Sequence, residues 1–238
     1  LDDTPRVEVC LNELVDFSSY MKKMCVKEDV CNKFQEKFLR QDINDSLKYF
    51  EDVALEVAEK QGKRLKPILF KNNNVRIFPE NYEALFSSMV HVFRNAVDHG
   101  IEDPEERKNY GKSDEGTIEI TSESFQKDSS SWIRILIRDD GRGIQTDVIR
   151  KKLEEKMPNQ GYSEMPDYEV IQQIFNPGFS SRTEVGEFSG RGVGMDAVKT
   201  EVVRLGGKIK VESETGKGAL LTIEIPDLSI DNKFIKSA

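Results

Sequence analysis

The stretch HVFRNAVDHG, residues 91–100, holds both histidines of the chain together with an arginine, an asparagine and an aspartate. The residues around it supply Leu85, Phe86, Met89, Val90, Phe93 and Val97 at spacings of three and four, which predicts a long helix over about 80–98, opened by PEN. On that helix His91 and Asn95 lie four residues apart, and Asp98 and His99 follow seven and eight residues after His91. All four are therefore expected on one side, away from the apolar stripe. This spacing alone fits a solvated helix face as well as it fits a site.

Two further segments shift the balance. IRDDGRGI, residues 137–144, ends an alternating strand (Ile133, Ile135, Ile137) in Asp139 and Asp140, followed by Gly141 and Gly143. A carboxylate at a strand end can accept a hydrogen bond from an exocyclic amine, and glycines let a backbone come close; a plain Asp-Gly turn is the other reading of this segment. GRGVGMDAVKTEVVRLGG, residues 190–207, places Gly190, Gly192 and Gly194 at alternate positions ahead of an apolar-periodic helix. Exposed backbone N–H groups at such a helix start suit phosphate oxygens. The spacing is neither that of a P-loop nor that of a dinucleotide fold, and a glycine linker would also fit it.

Composition sets the frame. The chain has 238 residues, of which 37% are hydrophobic and 33% charged, so one core plus an appendage, in one or two domains, is expected. A formal net charge of −8 argues against a surface built for nucleic acid while leaving room for an anion held by a few local groups. No apolar run approaches the roughly 18 residues of a membrane span, and LDDTPRVEV has no signal-peptide character, so a cytoplasmic protein without membrane contact is expected. Cys10, Cys25 and Cys31 form no C-x-x-C pair and fit reduced thiols.

Pattern divides the chain near residue 45. Two helices are expected in RVEVCLNELVDFSSYMKKM and EDVCNKFQEKFLRQ, and a third in NDSLKYFEDVALEVAEKQG, with Asn44 or Asp45 as cap and Gly62 as stop. LKPILFK and NVRIF read as strands. GTIEITSES, SWIRILIRDD, GKIKVES and ALLTIEIP alternate as strands, and two short helices are expected around 145–155 and 194–205. The expected fold is an α/β (α+β) sandwich with helices on one face of a mixed, largely antiparallel sheet, preceded by helices.

With these residues in view, the sequence resembles the ATP-binding catalytic domain of CheA-like, chemotaxis-type histidine kinases, within the superfamily shared with gyrase B, Hsp90 and MutL. HVFRNAVDHGIEDPEER is similar to the family's N box, DDGRGI to its first glycine box, NPGFSS to its phenylalanine-containing lid motif and GRGVGMDAVK to its second glycine box. The resemblance covers roughly residues 47–226 and implies a Bergerat-type fold over 47–238. It leaves residues 1–46 as a helical dimerisation region, a local cap or a separate module.

Carried over by residue, the resemblance implies that Asn95 coordinates the Mg2+ bridging the phosphates of ATP. His91 stands at the general-base or acceptor-orienting position. Arg94 and His99 would face the phosphates, and Asp98 would organise its neighbours. Asp139 would read the adenine amino group, Gly141 and Gly143 would admit base and ribose, and Gly190, Gly192 and Gly194 would wrap the phosphates. The segment from about 157 to 193 would be the lid. Where gyrase, Hsp90 and MutL place a water-activating glutamate, this chain has His91, which favours phosphotransfer over hydrolysis. The family often has threonine where this chain has Ala219, with Thr222 further along.

Both histidines lie inside the implied site, so the phosphoacceptor is expected on a histidine-containing phosphotransfer domain in trans, with a response regulator acting indirectly. The amino-terminal helices are a candidate dimer contact. The chain reaches Ala238 soon after its last expected strand, so the coupling-protein-binding domain of chemotaxis kinases is not expected within these residues.

Overall fold

The computed structural model describes residues 9–158, 160–177, 179 and 194–229. Helices α1 (Leu11–Lys23) and α2 (Glu28–Phe34) come first, the latter widening into a π turn, Gln35–Leu39. They pack on each other, with Met21, Cys31 and Leu39 buried, and the buried Gln35 side chain donates to the Ser18 hydroxyl at 3.0 Å. Cys10, Cys25 and Cys31 are free thiols. Arg40, paired with both Glu36 and Asp227, ties the end of this hairpin to the residue that follows the last strand.

The main core starts at Ile43, fully buried. A two-residue strand β1 (Gln41–Asp42) leads into α3 (Ile43–Leu47), which runs through helical Lys48 into α4 (Tyr49–Lys60). The cap is Asp42, whose carboxylate accepts the Asn44 amide at 2.8 Å. The expectation of Asn44 or Asp45 fails because burial of Ile43 draws the helix start forward, which makes Asn44 a donor inside the first turn. Gly62, at φ +67, ends this unit as expected.

Strands β2 (Leu69–Asn72) and β3 (Arg76–Ile77) precede α5 (Glu83–Asn95), which is entered through a 3-10 turn at Pro79–Asn81. Leu85, Phe86, Met89, Val92 and Phe93 form the buried stripe of α5. Its ring pair with α4, Phe50 on Phe93, is stacked at 4.6 Å and 9°, a geometry worth about 0.5–1.5 kcal/mol beyond the area buried. Beyond α5 follow α6 (Pro104–Asn109), β4 (Ile118–Lys127), β5 (Ser130–Asp139), α7 (Thr146–Lys156), α8 (Asp167–Val170), α9 (Met195–Arg204), β6 (Lys208–Glu214) and β7 (Gly218–Pro226).

The five-stranded sheet has the order β2-β4-β5-β7-β6, parallel only between β2 and β4. The β4–β5 hairpin turns on Asp128 and Ser129, both at positive φ (49° and 63°), the combination that matches the twist of a two-residue loop. Period-2 alternation sends Ile118 and Ile120, Ile133, Ile135 and Ile137, and Leu221, Ile223 and Ile225 into the core under the helices. On the other face the register aligns Glu123, Arg134 and Glu224, and the arginine bonds both carboxylates, at 2.6 and 2.8 Å. Helices on one face of a mixed, largely antiparallel sheet is the architecture the sequence predicts. No helix among the described residues is long and apolar enough to cross a membrane.

Candidate functional site

A cavity of about 450 Å3 opens between the end of α5, the end of β5, α7 and the start of α9. This lies within the size range of small-ligand sites. Its polar contributors include Asn95, His99, Asp139, Arg142 and Lys152, and its apolar wall includes Ile137, Ile149, Phe179, Met195, Val211 and Leu221.

Asn95 closes α5, and the chain then widens into a π turn, Ala96–Gly100, sealed by the Ile101 amide on the Ala96 carbonyl at 2.8 Å. A turn with one extra residue rotates everything after it relative to a regular helix. The turn keeps Ala96, His99 and Gly100 on the cavity but takes Asp98 off it. Asp98 accepts from the Gln61 side chain, and Lys63 Nζ caps the carbonyls of Val97 and Asp98 at 2.6 and 3.0 Å. Of the four residues expected on one side, the cavity is lined by Asn95 and His99; for Asp98 that expectation assumed an unbroken 3.6-residue period, which the π turn interrupts. Among the described residues the Asn95 amide makes no side-chain hydrogen bond.

His91, one turn before Asn95, is half-buried and does not line the cavity. Its pKa is pushed below the ordinary histidine value, chiefly by burial and then by the Arg94 charge, with Asp196 of α9 opposing. Arg94 is exposed and outside the cavity lining; its charge also acts on Glu56 of α4.

Asp139 reaches the cavity because it continues the inward phase of Ile133, Ile135 and Ile137. Its Oδ1 accepts two backbone amides, Gly141 at 2.9 Å and Ala219 at 3.3 Å. Burial nonetheless raises its pKa from 3.8 to about 6; the two amides pull the other way, and the nearby charges of Asp140 and Glu102 add to the rise. Gly141 has a structural reason to be glycine. A Cβ there would sit 2.3 Å from the carbonyl oxygen of Gly100, where the π turn and the strand end touch and the Arg142 amide bonds Gly100 O at 2.8 Å. Gly143 lies at φ +75, with a Cβ position 2.5 Å from the Glu214 carbonyl. Of the two, only Gly143 lines the cavity.

Gly194 precedes α9, and its amide donates to Asp196 at 3.1 Å. Gly190 and Gly192 lie outside the described residues. Of the expected lid from about 157 to 193, residues 180–193 lie outside the described residues, and Val170, Ile171 and Phe175 are buried at 0%, 5% and 2% exposure. Gln172 also exchanges two hydrogen bonds with the Val211 backbone (2.7 and 3.1 Å). These contacts hold residues 170–175 against the core in this structure. Phe179, from NPGFSS, does lie on the cavity, with Lys152 Nζ 4.8 Å from its ring centre.

Lys152 and Arg142 carry no signal of their own in the sequence. Lys152 is one of several charges in RKKLEEK and is singled out only once the phase of α7, with Ile149 and Leu153 buried, is known. Ala219 sits on the cavity wall, and Thr222 lies on the opposite strand face, as the alternation of β7 requires. Among the described residues no group of three or more His, Cys, Asp or Glu side chains could enclose a metal ion.

Residues 86–229 match the family described as histidine kinase-, DNA gyrase B-, and HSP90-like ATPase. The chain is 36% identical over 174 residues to the chemotaxis protein CheA of Rhizobium meliloti (strain 1021), covering 73% of this chain and 22% of that protein. It is 37% identical over 179 residues to CheA of Halobacterium salinarum (strain ATCC 29341 / DSM 671 / R1), covering 74% and 26%. The chain thus spans about a quarter of the length of these relatives. A solved catalytic domain of histidine kinase ThkA is similar at 21% identity and TM-score 0.45, over 79% of this chain and 94% of that one. With cavity, strand-end carboxylate and helix-end asparagine all inside the matched span, the chain belongs to the histidine kinase-, DNA gyrase B- and HSP90-like ATPase family, and its sequence is similar to the CheA proteins.

Proposed function

We propose that residues 47–238 form an ATP-dependent protein histidine kinase catalytic domain, which transfers the γ-phosphoryl group in trans to a histidine on a phosphotransfer domain in two-component signalling. The observation that carries this reading is that one cavity is lined by both a desolvated strand-end carboxylate, Asp139, and an asparagine, Asn95, whose side chain makes no hydrogen bond among the described residues. The identity to CheA proteins supports the choice of a histidine acceptor.

Each residue then has a defined task. Asp139, held at Oδ1 by two amides, offers acceptor capacity to the adenine amino group, against the apolar wall of Ile137, Ile149 and Leu221. Asn95 supplies a neutral oxygen, the kind of ligand Mg2+ takes alongside phosphate oxygens and water, so the residues present fit a metal that arrives with the nucleotide. Bound Mg2+ would neutralise phosphate charge, the main requirement of phosphoryl transfer. His99, Arg142 and Lys152 line the same cavity and surround the ligand with cationic or proton-donating groups. His91, neutral at neutral pH, accepts the proton of the incoming imidazole or orients it. Phe179 and the apolar wall keep water from competing with that imidazole.

The test is incubation of the chain with labelled ATP, Mg2+ and a panel of separate histidine phosphotransfer domains. Acid-labile label on a partner is the expected result. ATP binding without transfer to any of them would leave a nucleotide-binding regulatory module.

A further inference from the structure

The segment IEDPEERKNYGKSDEG, residues 101–116, folds into a cluster that does not line the ligand cavity. Arg107 and Glu102 are both 1% exposed and bond each other at 2.9 Å. Arg107 also bonds Asp140 Oδ2 at 2.9 Å and the carbonyls of Ser113 and Glu115 at 2.7 and 3.2 Å. Lys112 Nζ donates to Glu102 at 2.7 Å and to the carbonyl oxygens of Asp140 and Gly141, each at 2.8 Å. The second oxygen of Asp140 takes the Thr117 amide at 2.9 Å. Burying these charges is costly, and apolar side chains would fill the same space at less expense. The cluster therefore calls for a reason beyond packing.

The reason lies in one peptide unit. The Asp140 carbonyl that Lys112 grips and the Gly141 N–H that donates to Asp139 Oδ1 belong to the same planar group. A cation on the oxygen fixes the plane and polarises the N–H, which strengthens its bond to the carboxylate. Asp139 is thus oriented through the backbone by a side chain that never meets the cavity. We propose that Lys112, anchored by Glu102 and Arg107, is a positioning residue for base selection: it holds the Asp140–Gly141 peptide so that Asp139 Oδ1 is occupied and Oδ2 is left to meet the exocyclic amine. This rests on the reading of Asp139 as the adenine-facing group.

The experiment measures binding of ATP and of purine riboside 5′-triphosphate, which lacks the 6-amino group, to the full chain and its variants by calorimetry. The parent should prefer ATP by at least about tenfold, because a site built to bond an amine rejects the analogue without it. Lys112→Ala should weaken ATP about fivefold or more while the analogue stays within about twofold, and Lys112→Arg should restore most of the preference. If Lys112→Ala does not fold, the double variant Glu102→Gln/Lys112→Met, which removes one charge of each sign, carries the same comparison. Folded variants that keep the full preference, or that lose both nucleotides equally, overturn the role of Lys112 and leave that of Asp139 standing. A parent that binds both nucleotides equally overturns the reading of Asp139, and this inference with it.

Discussion

The backbone amide of Ala219 donates to Oδ1 of Asp139 at 3.3 Å, so β7 fixes the carboxylate of β5 without any help from a side chain at position 219. What the alanine omits is a hydroxyl on the cavity wall. Ala219→Thr restores one while keeping the amide, and should tighten ATP about fivefold, the worth of one hydrogen bond near 1 kcal/mol. Titration of ATP into both proteins checks this. Unchanged or weaker binding by a folded variant would show that no partner waits for that hydroxyl.

Asp139 also links binding to pH. Its pKa rises from 3.8 to about 6, principally through burial. The native state thus holds this proton more tightly than the unfolded chain, and stability falls as pH climbs through that window. At 1.36 kcal/mol per pH unit, the loss at neutral pH is on the order of 2–3 kcal/mol. Asp139→Asn removes it. That variant should be more stable than the parent near neutral pH, by an amount that vanishes below about pH 4, yet should bind ATP more weakly and discriminate less against GTP. Thermal unfolding across this range decides the matter: parallel profiles would mean that the carboxyl titrates normally.

The sheet was legible in the sequence because Ile133, Ile135 and Ile137 announce both its period and the face on which Asp139 must emerge. The glycine spacing of DDGRGI was legible too, although the crowding at Gly141 comes from Gly100 and that at Gly143 from the Glu214 carbonyl. The π turn was not: HVFRNAVDHG carries no residue that forbids a regular helix, and the extra residue appears only where Ile101 seeks the core and its amide reaches Ala96. That single irregularity leaves Asp98 out of the cavity lining and bonded to Gln61. Nothing local in ERKNYGK separates Arg107 and Lys112 from its other charges, since their partner Glu102 is shown to be buried beside them only by the fold.

Asn95 lies at the cavity with no competing side-chain bond among the described residues, and the fold rests on the other face of α5. Asn95→Ala should therefore change stability by no more than about 0.5 kcal/mol. It should abolish phosphotransfer, and nucleotide affinity should lose its dependence on Mg2+. Binding measured with Mg2+ and with a chelator separates this from simple damage. A variant whose affinity still rises with Mg2+ as the parent's does would take Asn95 out of metal binding.

His91 stands one turn back from Asn95, off the cavity wall, with its pKa held below 6.5 by burial first and by Arg94 second, against the pull of Asp196. The native state binds this proton less tightly than the unfolded chain, so the group costs nothing at neutral pH and destabilises the fold as pH falls below 6.5. The same depression keeps the imidazole neutral and able to accept a proton in the range where a partner histidine is itself a nucleophile. His91→Ala should cut labelling of the correct phosphotransfer domain by at least about tenfold. ATP affinity should stay within about twofold, because the side chain does not line the cavity. The parent's transfer rate should hold down to the depressed pKa and fall below it, a limb that His91→Gln loses. The chain incubated alone with ATP should gain little acid-labile phosphate. Stable phosphohistidine on the isolated chain would refute transfer in trans, and full partner labelling by His91→Ala would leave a kinase whose proton is handled by another group.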